Sequence, residues 1–436
     1  MNGYELIKQI AEDSREELVA CRRDFHKHAE TGWFEMRTSS IIARKLTELG
    51  YEVLTGEQVC DPDARMGVPS EKDLEEGYQR AVAQGADPEF VEHARGGKTG
   101  VIGILRCGEG PTVAMRFDID ALGVFESEEP DHKPMAEGFA SVNCGSMHAC
   151  GHDGHGTIGL GVAKALMAVK DQLHGTVRLI FQPAEEGVRG AKSIVEKGHL
   201  DNVDYLLTGH LSKRPEESDA QVITNCYGAL ATCKYDAVFH GLASHAGGSP
   251  NTGKNAMLAA CTAVLNLQAI PRHGGGSTRI NVGRLVAGSG RNVICDEAKL
   301  ELEVRGETAE LNEYMSQYAE RILKAAADMH DCTVEIRLMG AAIPMKSDPD
   351  FAAHLRKVAE EKMGLIHDAR EDFRSAGSED ASYMMQRVQE QGGKAVYMRL
   401  LTPMAGPAHN RRYDFGEEVL VNGVKLYAGC VLDLLG

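Results

Sequence analysis

Four nitrogen or sulfur donors fall within the eight residues His148-Ala149-Cys150-Gly151-His152-Asp153-Gly154-His155. Downstream come a paired carboxylate in Gln182-Pro183-Ala184-Glu185-Glu186-Gly187, then His210, then a late His409. Soft and borderline donors combined with a carboxylate suit Zn²⁺, Mn²⁺ or Co²⁺ better than Ca²⁺ or Mg²⁺. A fold that uses these groups together must gather residues that are far apart in the chain. The sequence therefore reads as a metal-dependent enzyme, with hydrolysis as the leading chemistry.

The 436 residues suit two domains better than one. A formal net charge of -17 argues against a nucleic-acid partner, because few basic clusters exist to neutralise phosphates. The same charge offers no long-range attraction to an anionic substrate, so anion specificity must come from local arginines. No run of 18 apolar residues is present and no membrane span is expected. The charged stretch from Met1 to Glu30 lacks the apolar core of a secretory leader. Eleven scattered cysteines without a Cys-x-x-Cys pair fit reduced thiols and a cytoplasmic location.

Periodicity predicts helices between residues 5 and 49, at 157–169 and at 190–196, and strands at 101–105, 113–119, 177–181 and 204–208. Gly108-Glu109-Gly110-Pro111 reads as a hairpin-like turn between the first two strands. Strand–helix alternation predicts a largely parallel sheet with helices on its faces. Asp118 and Asp120 close one strand, Glu185 and Glu186 follow another, and His210 is expected at the end of a third. Open α/β sheets bind ligands at the carboxyl ends of their strands. From about Tyr227 the order becomes β-α-β-β-α-β, the ferredoxin-like split unit. Residues 227–342 are thus expected to form an inserted α+β domain, with 1–226 and 343–436 making the α/β domain around it. The sheet domain resumes with helices at 350–362 and 379–388, a strand at 395–401 and a helix at 417–434. The polar, acidic segment 56–97 reads as a surface insertion, with a lid or a dimer contact as alternatives.

Each chemical motif has a plainer alternative. Cys150 and His152 can share a metal across the Gly151 turn, or form a His-rich loop capping a helix through Asp153. His148 and His155 read as supporting or packing histidines. Adjacent Glu185 and Glu186 diverge after a strand, so one can hold a metal while the other serves as a general base. Alone they would be a solvated acidic turn; beside the Cys/His cluster the chemical reading prevails. The link between His409 and the other donors does not follow from spacing.

Taken together, Arg116 through Leu122, His148 through His155, Phe181 through Gly187, Ser244-His245-Ala246-Gly247, Arg291-Asn292-Val293-Ile294 and Gly377-Ser378-Glu379-Asp380 resemble the aminoacylase/carboxypeptidase clan of co-catalytic metallopeptidases, in its amidohydrolase branch. Arg65 through Pro69 and Phe139-Ala140-Ser141 resemble the subgroup that cleaves p-aminobenzoyl-glutamate. The resemblance implies that Cys150, His152, Glu186, His210 and His409 bind two divalent ions, Mn or Zn, with Cys150 bridging and Glu185 as general base. It implies a ferredoxin-like domain that dimerises and sends His245 into the partner's active site, with Asn292 and Arg305 near the substrate's acyl oxygen and carboxylate. Arg305 also reads as a strand arginine paired with Glu303 or Glu307. Where relatives carry His-x-Asp, this chain has Arg116-x-Asp118, so Arg116 holds no metal and Asp118 at most orients a ligand. The implied reaction is hydrolysis of an N-acyl amino acid in the breakdown of folate fragments. Hippurate and N-acetyl-amino-acid hydrolysis are alternatives, as is a non-catalytic role beside a homologous hydrolase. The implied partner is a second copy or a homologous B subunit.

Overall fold

The computed structural model describes residues 2–375 and 377–436. Its main sheet has seven strands in the order Glu52–Thr55, Val101–Arg106, Thr176–Gln182, Thr112–Asp118, Tyr205–Lys213, Lys394–Thr402 and Val222–Ile223. The four from 176–182 to 394–402 run parallel. Antiparallel strands flank them on both sides. The 112–118 strand is buried along nearly its whole length, as a continuous apolar run covered on both faces should be.

Helices Gly3–Asp13, Arg15–Lys27, His152–Ala168 and Glu418–Leu435 cover one face, burying Ile7, Phe25, Ile158, Val424 and Tyr427 against the strands. Helices Ala191–Glu196 and Ala381–Glu390 cover the other, with Trp33, Ile180, Leu206, Met384 and Tyr397 in the core between. The 152–168 helix approaches the sheet closely through its glycines. A Cβ on Gly159 would stand 2.6 Å from the Phe181 ring.

Residues 231–342 form a separate four-stranded antiparallel sheet in the order Thr333–Ala342, Ala231–His240, Glu297–Gly306, Thr278–Ala287. Numbered along the chain this is 4-1-3-2, the ferredoxin-like arrangement. Alternate residues of the 297–306 strand, among them Leu300, Leu302 and Val304, face helices Ala256–Gln268 and Ala309–Asp328. Among the described residues, no helix is long and apolar enough to cross a membrane.

Three local expectations change. The 101–106 and 112–118 strands do not form a hairpin, because the 176–182 strand pairs with both and lies between them. Local turn residues signal a reversal but do not choose the pairing partner. His210 does not end its strand, which continues to Lys213 because its partner strand extends equally far, to Thr402. Segment 56–97 is no mere surface insertion. Val59, Leu74, Tyr78, Ala81 and Val91 join the core that contains Trp33, and the Trp33 indole donates to the Met66 carbonyl at 2.8 Å.

Candidate metal centre

The carboxyl ends of the parallel strands and the start of the 152–168 helix meet at one cavity. Gly151 makes the turn into that helix with φ of +100°, and a Cβ there would stand 2.9 Å from the Tyr413 hydroxyl. This sharp entry puts Cys150 just before the helix and His152 in its first turn. Cys150 Sγ lies 3.3 Å from His210 Nε2. Ligand atoms of Cys150, His152 and His210 lie within 4.8 Å of one another, as do those of Cys150, Glu186 and His409, and those of His152, Glu185 and Glu186. The five donors named from sequence, together with Glu185, therefore form overlapping groups around one space. Of the other named residues, Arg305 lines the same cavity of about 390 Å³, together with Glu185, Glu186, His210 and His409. His245 and Asn292 do not line it. Both are exposed on the inserted unit, where Ala246 N–H donates to the Asn292 carbonyl at 3.0 Å.

The carboxylate loop is held by buried acids. Asp120 Oδ1 accepts the Glu185 N–H at 3.0 Å and Oδ2 the Glu186 N–H at 2.9 Å. Asp120 Oδ1 also lies 3.2 Å from His152 Nδ1, which leaves His152 Nε2 facing the cavity. Glu35 accepts the Ala184 N–H at 2.8 Å. The loop carries positive φ at Ala184 (52°) and Val188 (60°), and His409 has 66°. For a β-branched residue such as Val188 this is an uncommon, strained conformation, sustained only where surrounding contacts impose it.

Asp118, assigned an orienting role from sequence, sits 3.8 Å from His152 Nε2. Its carboxylate is engaged by Arg116 at 2.6 Å and by His155 Nδ1. The contact that turns the His152 ring comes from Asp120. His155 Nε2 accepts the Leu211 N–H at 2.9 Å, so its Nδ1 carries the proton shared with Asp118. Arg116 is fully buried and also meets Glu379 at 3.0 Å and Asp380 at 3.2 Å. Asp380 in turn accepts the Gly190 and Ala191 N–H groups. A sequence signal for Asp120 existed in its period-2 spacing from Asp118, but its choice of partner required the fold.

The electrostatics fit a cationic occupant. Burial, reinforced by Glu379 and Glu186, pushes the Glu185 carboxyl well above its ordinary range. Burial also pushes up the Cys150 thiol and, with His155 nearby, pulls His210 well below the usual imidazole range. His152 Nε2 and Glu186 Oε1 are buried without a hydrogen-bond partner among the described residues, 3.9 Å apart. Buried polar atoms are almost always satisfied, and an ion is one occupant that satisfies such a pair. Thiolate, imidazole and carboxylate donors together suit a divalent metal ion.

The sequence profile of peptidase family M20/M25/M40 matches residues 114–433. The chain is 43% identical over 424 residues to the indole-3-acetyl-aspartic acid hydrolase of Enterobacter agglomerans, covering 97% of each. It is 42% identical over 430 residues to the A subunit of the p-aminobenzoyl-glutamate hydrolase of Escherichia coli (strain K12), covering 98% of each. The crystal structure of an aminobenzoyl-glutamate utilization protein from Klebsiella pneumoniae is similar throughout, with a TM-score of 0.84, 38% identity and 98% coverage of both chains. With its donors gathered at the sheet edge and this likeness along its whole length, the chain belongs to peptidase family M20/M25/M40 and is a hydrolase acting on amide bonds.

Proposed function

We propose that the chain cleaves the amide bond of an N-acyl amino acid whose amino-acid half is acidic, with p-aminobenzoyl-glutamate as the leading substrate and p-aminobenzoate and glutamate as products. The convergence of Cys150, His152, Glu186, His210 and His409, with Glu185 beside them, carries this reading. Both curated relatives act, by name, on amides of acidic amino acids. On this reading the protein serves the breakdown of folate fragments. Its eleven free cysteines suit a cytoplasmic setting.

Those five residues would hold two divalent ions, Mn or Zn. When bound, such ions polarise the scissile carbonyl and lower the pKa of water toward about 7. Glu185 accepts the proton of the attacking water, a role that its place on the cavity wall beside the donors supports. It then delivers that proton to the departing nitrogen. His245 stabilises the developing oxyanion, with Asn292 near the acyl oxygen.

His245 lies outside the cavity of its own chain, which favours action in a partner's site. The insertion of the four-stranded unit 231–342 into the larger α/β domain suits the same assembly. The inserted unit exposes Leu258, Leu265, Leu285 and Val286, a suitable surface for a second copy or a homologous B subunit.

The test is a hydrolysis screen of p-aminobenzoyl-glutamate, indole-3-acetyl-aspartate, hippurate and N-acetyl-amino acids with metal-loaded protein. Chelation is expected to abolish turnover, and Mn²⁺ or Zn²⁺ to restore it. Glu185→Gln is expected to lower kcat by roughly 10²–10⁴-fold while metal content is retained. Unchanged turnover in Glu185→Gln, or activity surviving exhaustive chelation, contradicts the proposal.

A further inference from the structure

Charge in the catalytic cavity is unevenly matched. Arg305 faces it, but its fork is closed on Glu303 at 2.9 and 3.1 Å. Arg116 behind it is committed to Asp118, Glu379 and Asp380. Two other cations line the same cavity, Arg399 and Lys234. Neither forms an ion pair among the described residues, although both are partly buried. Arg399 Nε is buried with no hydrogen-bond partner among those residues.

Arg399 is firmly placed. It stands opposite His210 in the register of the parallel strands 394–402 and 205–213, so both side chains project from the same face of the sheet. Its guanidinium sits 4.9 Å from the Phe373 ring centroid and 5.0 Å from that of Tyr397, within cation–π range of both rings. A desolvated, unpaired guanidinium costs free energy unless an anion meets it. Lys234 approaches from the inserted unit, on the strand 231–240.

Two unpaired cations beside the metal donors match the two carboxylates of an acidic amino acid. We propose that Arg399 determines specificity by pairing bidentately with the side-chain carboxylate of the substrate's amino-acid half, while Lys234 meets its α-carboxylate. This rests on the amide-hydrolase reading above and assigns the residues that read the acidic half.

The test compares p-aminobenzoyl-glutamate with p-aminobenzoyl-glutamine, which differ in side-chain charge but little in shape. For Arg399→Met, kcat/KM on the glutamate amide is expected to fall by roughly 10- to 100-fold, the loss of a charge-assisted pair, with the glutamine amide unchanged. Arg399→Lys keeps charge and most of the packing, which guards against misfolding. It should show a smaller loss that is still confined to the glutamate amide. Lys234→Met should weaken both amides alike. Equal losses on both amides for the Arg399 variants, no loss, or a selective loss in Lys234→Met instead would overturn the assignment. Calorimetry of free glutamate against glutamine separates the two readings. If wild-type protein hydrolyses neither amide, the reaction assigned above fails. An Arg399-dependent preference for glutamate would still support the subsite, and its absence would refute it.

Discussion

Asp120 ties His152 to the two glutamates that follow the 176–182 strand: one carboxylate faces the imidazole Nδ1 at 3.2 Å and accepts the backbone N–H groups of Glu185 and Glu186. His152 and the Glu185-Glu186 pair, 32 and 65–66 residues away from it in sequence, are thereby set relative to each other by one buried carboxylate.

Asp120→Asn should therefore weaken metal binding without unfolding the chain. Replacing a group that orients a ligating histidine typically costs 10–100-fold in metal affinity or activity. Metal titration by calorimetry checks this. Affinity indistinguishable from wild type would show that His152 is oriented by other contacts.

Arg116 is the counter-ion of three buried carboxylates, Asp118, Glu379 and Asp380. Arg116→Met leaves these charges uncompensated. Breaking a buried pair from one side costs about 3–5 kcal/mol, so the urea midpoint should fall sharply. A midpoint unchanged within error would mean that the carboxylates are neutral in the folded state.

Action of His245 across a dimer predicts complementation. Glu185→Gln and His245→Ala chains should each be nearly inactive. Mixed under conditions that allow exchange, half the dimers become mixed and each regains one intact site. About a quarter of wild-type activity should return, by the symmetry of a two-fold assembly. No recovery, together with exchange verified by sedimentation or labelling, would place His245 outside the partner's site.

Acid stability should depend on Glu417. Burial alone would raise its pKa, but hydrogen bonds from Arg23 and Lys133 and the charge of Arg22 outweigh burial and bring it down to about 2 from the ordinary 4.5. The unfolded chain thus takes up the proton before the folded one does. The stabilisation is fully present above about pH 4.5 and is lost as pH falls toward 2. Glu417→Gln should be less stable than wild type at neutral pH, and the difference should shrink across that window. Chemical denaturation at a series of pH values measures it, and a difference independent of pH would assign the loss to packing.

The sequence by itself determined the donor types, the strand–helix alternation and the β-α-β-β-α-β order that begins after about Tyr227. Each is a local pattern: an apolar period, a turn residue, or ligands a few positions apart. Only tertiary structure decided that the 176–182 strand separates 101–106 from 112–118, that Asp120 orients His152, and that Arg399 stands unpaired beside His210 while Arg305 is closed on Glu303. Pairing between strands, and which buried charge meets which, depend on contacts between residues tens to hundreds of positions apart. Local propensity carries no record of such contacts, because they are selected by the packing of the whole core.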